Sequence, residues 1–156
     1  MKSRSDQSAA HPNGAPALRV FVVENHADTR DFLIFMLEEL GHTVSAADTM
    51  GKALRDVPAS DCDVLISDIG LPDGDGWELL SRLDLRRPIY PIAMSGFGMS
   101  SDRARSKAVG YRHHLVKPMG LEQLEAILQE AAGEFDGSGN GQSKDEKAAA
   151  AVARSR

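Results

Sequence analysis

The sequence predicts an α/β fold built on one parallel sheet, and three observations lead there. Between residues 18 and 132, short apolar runs alternate five times with helical patterns. The apolar runs are strand-sized, and two of the helical segments close on a glycine stop, Gly41 and Gly110. Strands that alternate with helices are joined by right-handed crossovers, which yields a parallel sheet covered on both faces.

The elements follow in order. Residues 18–23 are apolar and β-branched, hence a strand. Residues 28–40, "DTRDFLIFMLEEL", predict a helix with Phe32, Phe35, Met36 and Leu40 on its buried face and Gly41 as its C-terminal stop. Residues 42–47 form a weaker strand, and 49–57 a short helix that ends before Pro58. Residues 64–67 are a fully apolar third strand, followed by a helix over 76–84. A fourth strand covers 89–94, and a helix over 101–109 takes Ser100 or Ser101 as its cap. The last strand is 113–116. The last helix, 121–132, is amphipathic through Leu121, Leu124, Ile127 and Leu128.

Composition bounds the function. The chain has 156 residues, 42% hydrophobic and 26% charged, so one globular domain with tails is expected. Residues 1–17 read as a disordered tail, 18–132 as the domain, and 133–156 as a flexible Gly/Ser and Ala-rich tail. A formal net charge of −5 argues against a basic nucleic-acid surface. The single cysteine, Cys62, excludes an internal disulfide and fits a reducing compartment. There is no secretory h-region, and the longest apolar run, residues 32–37, is too short to span a bilayer. A cytoplasmic protein is expected, with no nucleic-acid or membrane partner.

The chemistry sits at the strand ends. In "CDVLISDIGLPDGDGWELL" an apolar run drives into Asp68, and on its own such an aspartate is more often a solvated turn residue. In open parallel sheets, however, ligands bind outside the carboxyl ends of the strands, so the other ends decide. Strand one ends at Glu24-Asn25, strand four at Ser95 and strand five at Lys117, before Pro118. Carboxylate, amide and carbonyl oxygens suit a hard cation such as Mg²⁺. An aspartate among them can attack a phosphoryl group while the metal, the lysine and the hydroxyl neutralise the transferred oxygens. Asp73 and Asp75 read as a polar, flexible loop beside the site, lacking the ligand spacing of a calcium loop. "MGKAL" lacks the glycine and hydroxyl of a phosphate-cradling loop. His113 reads as a surface residue pointing opposite to His114, and Trp77 as a residue packed near its helix start.

Four stretches in order, "VVEN", "DIGLPDGDGW", "AMSGFG" and "GYRHHLVKP", resemble the response-regulator receiver domain of two-component signalling over roughly residues 18–132. The resemblance implies a flavodoxin-like (βα)5 fold with strand order 2-1-3-4-5. It implies Asp68 as phospho-acceptor and Glu24, Asn25, Asp68 and the Gly70 carbonyl as Mg²⁺ ligands. It implies Ser95 as the hydroxyl that moves onto the phosphoryl group, Lys117 as its ammonium partner, and His114 at the aromatic switch position. The Lys117–Pro118 bond is expected to be cis. Gly70 and Phe97 fall where the family controls water, which implies a long-lived acyl phosphate.

The implied partners are a sensor histidine kinase or histidine phosphotransfer protein and a downstream protein, with a homodimer left open. The implied chemistry is confined to the domain's own phosphoryl transfer and dephosphorylation. Asn25, where the family carries an aspartate, motivates an alternative: a pseudo-receiver that signals without phosphate. A third reading, a metal-dependent phosphohydrolase, is disfavoured because residue 70 is glycine rather than a general acid. The 24 residues after Ala132 are too few for an output domain, so a stand-alone receiver or one from a hybrid kinase is expected.

Overall fold

The computed structural model describes residues 17–96 and 100–138. Its elements are β1 (Arg19–Val23), α1 (Ala27–Glu39), β2 (Thr43–Ala47), α2 (Met50–Ser60) and β3 (Val64–Asp68), then a two-residue-strand hairpin of β4 (Gly70–Leu71) and β5 (Gly74–Asp75). α3 (Gly76–Arg82), β6 (Tyr90–Ser95), α4 (Ser100–Val109), β7 (His113–Val116) and α5 (Leu121–Ser138) complete the chain. The main sheet runs β2-β1-β3-β6-β7, all neighbours parallel. With the small hairpin set aside, this is the expected 2-1-3-4-5.

Alternation along the central strands divides the core between the two faces. Val20, Val22, Val64, Ile66, Ile92 and Met94 join Leu33, Met36 and Leu37 of α1 and Leu124 and Leu128 of α5. Phe21, Val23 and Leu65 turn the other way, onto Ala53 and Val57 of α2 and Leu79 of α3. Each such side chain fully removed from water contributes roughly 1.5–3 kcal/mol. Strands buried on both sides hold their carboxyl ends in fixed relation.

Two helix ends and two helix faces differ from the sequence reading. α1 buries Leu33, Met36, Leu37 and Leu40, while Phe32 and Phe35 are 56% and 58% exposed. Residues 32–37 are apolar all round the helix, so periodicity could not choose the face. α2 continues through Pro58 to Ser60 and ends at Asp61 in the left-handed conformation, φ 55°. A proline two residues from a helix end leaves little helix to disrupt, and the Ser60 hydroxyl takes the Val57 carbonyl at 2.7 Å. α5 runs past Gly133 to Ser138 because Phe135 packs on the core and Glu134 pairs with Arg112 at 2.6 Å. On that helix Leu121 is exposed, and Ala131 and Ala132 are buried instead. Gly41 and Gly110, φ 96° and 126°, stop α1 and α4 in a conformation that favours glycine. Ser100 and Ser101, expected to cap α4, are instead its first two helical residues.

Candidate functional site

Register brings the strand ends together. Val23 pairs with Ser67, so Glu24 lies level with Asp68. Asp68 pairs with Met94, which puts Ser95 one residue further out, and Ser95 pairs with Val116, which puts Lys117 one further still. The ladders continue past the strands through Glu24 N to Ala47 O, Ile69 N to Met94 O and Lys117 N to Ser95 O. Acid, acid, hydroxyl and ammonium thus climb a staircase across four strands. The Lys117–Pro118 bond is cis.

Lys117 Nζ donates to Glu24 Oε1 at 3.0 Å and to Asp68 Oδ2 at 3.1 Å. Glu24 is fully buried and its other oxygen accepts the His26 backbone N–H at 2.8 Å. Burial pushes the Glu24 carboxyl up, but that N–H and Lys117 outweigh it and hold it below its ordinary value. Asp68 fares the other way. Burial first, then the charge of Glu24, holds its carboxyl above its ordinary value, and Lys117 offsets this only in part. Burial alone would lower Lys117, yet the two carboxylates raise it. One ammonium shared by two buried carboxylates leaves Asp68 the under-neutralised member. Among the described residues its Oδ1 accepts a single long contact, 3.4 Å from the Gly70 N–H.

The loop after Asp68 is built rather than slack, contrary to the sequence reading. Asp73 accepts from the Met50 and Gly51 N–H groups at 2.7 and 2.9 Å, tying the loop to the start of α2. Asp75 caps α3 by accepting from Glu78 N at 2.7 Å. Gly76 lies so close to Asp68 that a Cβ there would sit 2.6 Å from the Asp68 carbonyl oxygen. The buried Tyr111 hydroxyl donates to the Gly76 carbonyl at 2.6 Å.

The remaining sequence-predicted residues fall as follows. Asn25 is exposed beside Glu24, and Gly70 is exposed with open space around it. Phe97 lies outside the described residues. His114 meets Ser95 Oγ through Nε2 at 2.8 Å and Ser106 Oγ through Nδ1 at 2.7 Å, and Trp77 Nε1 donates to the same Ser106. His113 does point the other way, but it is not a free surface residue. It meets the Tyr90 hydroxyl at 3.1 Å and Glu130 at 3.4 Å. Sequence reasoning missed Ser106 and Asp73, because their partners lie 8 and 29 residues and 22 and 23 residues away. Apart from Ala104, Ala108 and Val109, α4 is polar, so no apolar stripe marks Ser106 as its inward position.

Comparison with known proteins decides the family. The family model described as "Response regulator receiver domain" matches residues 20–129. The chain belongs to the response-regulator receiver family. This receiver is similar to the KDP operon transcriptional regulatory protein KdpE of Escherichia coli, 34% identical over 112 residues, 72% of this chain and 50% of that one. It is also similar to the two-component response regulator PhoP of Pseudomonas aeruginosa, 33% identical over 71% of this chain and 50% of the other. The chain spans about half the length of those two regulators, but 87% of an uncharacterized 14.6 kDa protein of Leptolyngbya boryana to which it is 32% identical. Among solved structures, a CheY-like receiver domain from Methanospirillum hungatei superposes with a TM-score of 0.73 at 25% identity, covering 78% of this receiver and 98% of that chain. CheY4 of Vibrio cholerae, at 24% identity and TM-score 0.68 over 74% and 98%, shares the fold. No helix of the described residues is long and apolar enough to cross a membrane.

The donor set suits the Mg²⁺ that receivers typically use. Among the described residues no group of three or more His, Cys, Asp or Glu side chains is arranged for a metal. Two carboxylates with amide and carbonyl oxygens do fit a hard ion that retains waters. Burial, and after it the charge of Glu24, hold the Asp68 carboxyl up, and a divalent cation bound there would favour its ionised form.

Proposed function

We propose that Asp68 accepts a phosphoryl group from a phosphohistidine on a sensor kinase or histidine phosphotransfer protein, and that the modified domain then changes its protein contacts in the cytoplasm. The observation that carries this reading is the Lys117 ammonium, 3.0 and 3.1 Å from Glu24 and Asp68, beside an aspartate held more basic than usual. Asp68 Oδ1 attacks phosphorus; the P–N bond breaks, its electrons stay on the donor imidazole, and an acyl phosphate forms. Lys117 and the Ser95 hydroxyl neutralise the phosphoryl oxygens as charge spreads over them. Asp68, Asn25, Glu24 and the Gly70 carbonyl would hold Mg²⁺, which when bound adds further charge neutralisation. A groove of about 540 Å³ beside Lys117, bordered by His26, Phe32 and Met119, offers the donor a docking surface, with exposed Phe32 and Phe35 on its α1 side.

Gly70 presents no side chain and open surroundings, so nothing there orients a water against the acyl phosphate. This supports a long-lived modification. A second reading rests on Asn25: an exposed amide in place of an acid fits a pseudo-receiver that signals without phosphate. Incubation with acetyl phosphate and Mg²⁺, followed by intact-mass measurement, separates the two. One added phosphoryl group, lost in Asp68→Asn, supports the first reading. No uptake at saturating donor and metal supports the second.

A further inference from the structure

A hydrogen-bonded chain runs from Trp77 to Ser95, and its polarity follows from donor and acceptor chemistry. Trp77 Nε1 lies 2.9 Å from Ser106 Oγ, Ser106 Oγ lies 2.7 Å from His114 Nδ1, and His114 Nε2 lies 2.8 Å from Ser95 Oγ. An indole nitrogen only donates, so Ser106 accepts from Trp77. Ser106 is 1% exposed, and among the described residues its polar partners are Trp77 and His114. Its own hydroxyl proton therefore has one acceptor in reach, the His114 Nδ1 lone pair. A ring protonated on Nδ1 would leave that buried proton unpaired, an arrangement folded proteins avoid. The neutral ring then carries its proton on Nε2 and donates it toward Ser95.

We infer that Ser106 and Trp77 are positioning residues that fix His114 as the Nε2–H tautomer, so that Ser95 accepts from the ring and keeps its own hydroxyl proton for a phosphoryl oxygen on Asp68. The opposite tautomer would draw the Ser95 proton onto Nε2 and turn a lone pair toward the anion. The Arg105 guanidinium, 4.0 Å above the Trp77 ring, anchors the far end of the chain. The tautomer stands on geometry alone. Only the clause about the phosphoryl oxygen rests on the proposed function.

Long-range ¹H–¹⁵N spectra of His114, at a pH where the ring is neutral, test the tautomer in the unmodified protein. A protonated Nε2 with an unprotonated Nδ1 is expected, and a protonated Nδ1 overturns the inference. Ser106→Ala should release the ring to a mixture of tautomers and shift the indole proton of Trp77. Ser106→Thr, which keeps the hydroxyl, should restore both signals. A folded Ser106→Ala protein that retains pure Nε2–H removes the role of Ser106. With acetyl phosphate and Mg²⁺, Ser106→Ala should also take up phosphate several-fold more slowly than wild type, and Ser106→Thr should recover the rate. Equal rates for wild type and Ser106→Ala overturn the Ser95 clause. No uptake by wild type overturns the receiver chemistry and that clause together, while the spectra still decide the tautomer.

Discussion

Replacing Lys117 by methionine keeps its length and removes its charge, leaving two buried carboxylates with no lysine or arginine at hydrogen-bond distance among the described residues. At an effective dielectric near 20, each contact near 3 Å is worth about 5 kcal/mol of attraction. Both oxygens lie about 3 Å from one nitrogen, so they are at most about 6 Å apart and repel by about 3 kcal/mol or more. Desolvation cancels most of the net attraction, yet breaking a buried pair from one side still costs about 3–5 kcal/mol. Lys117 is 20% exposed, which favours the lower end. Urea unfolding without Mg²⁺ should therefore show Lys117→Met less stable by about 3 kcal/mol at pH 7.

The pH dependence has a definite sign. Glu24 is lowered in the folded state, so its contribution is present above its unfolded pKa and is lost as pH falls through the folded value. Lys117 is raised, so its contribution is present below its unfolded pKa and is lost as pH rises through the folded one. The deficit of the variant should thus be widest between those limits and shrink in acid, where a carboxylate takes a proton. Added Mg²⁺ should recover more stability in the variant than in wild type. A deficit under about 1 kcal/mol, the worth of an exposed ion pair, or one unchanged from pH 7 to pH 4, would refute the shared-ammonium description.

Three further outcomes are expected. Asp68→Asn should unfold at no lower urea concentration than wild type at pH 7, because ionised Asp68 is raised in the folded state and so opposes folding above its pKa; a clear loss would contradict this. Asp73→Ala should cost about 1–2 kcal/mol in the same assay, since two N–H groups at the start of α2 lose their acceptor. Asn25→Asp should bind Mg²⁺ at least about tenfold more tightly, followed by fluorescence of Trp77, because a full charge replaces an amide dipole; equal affinity would count against Asn25 as a ligand.

Much of this was legible from residues because each signal was local. Four strand ends announced Glu24, Asp68, Ser95 and Lys117 through apolar runs that stop on polar groups, and parallel connectivity placed those ends on one edge. What escaped depended on distant partners. Nothing near Asp73 shows that its carboxylate reaches α2, and the continuous apolar run of α1 hid that Phe32 and Phe35 face solvent. The motif places His114 at a switch position, but its two-sided bonding depends on Ser106 of another element. Pro58 and Gly133 are ordinary stop signals, yet short remaining helix in one case and the Phe135 anchor in the other carry the helices onward.

The most direct measurement is where the phosphoryl group goes. Protein treated with acetyl phosphate and Mg²⁺ can be reduced with borohydride, which converts an aspartyl phosphate to homoserine, and then sequenced by tandem mass spectrometry. Homoserine at position 68 and at no other aspartate is the predicted result. Homoserine elsewhere, or none at all from a folded protein, would contradict the account.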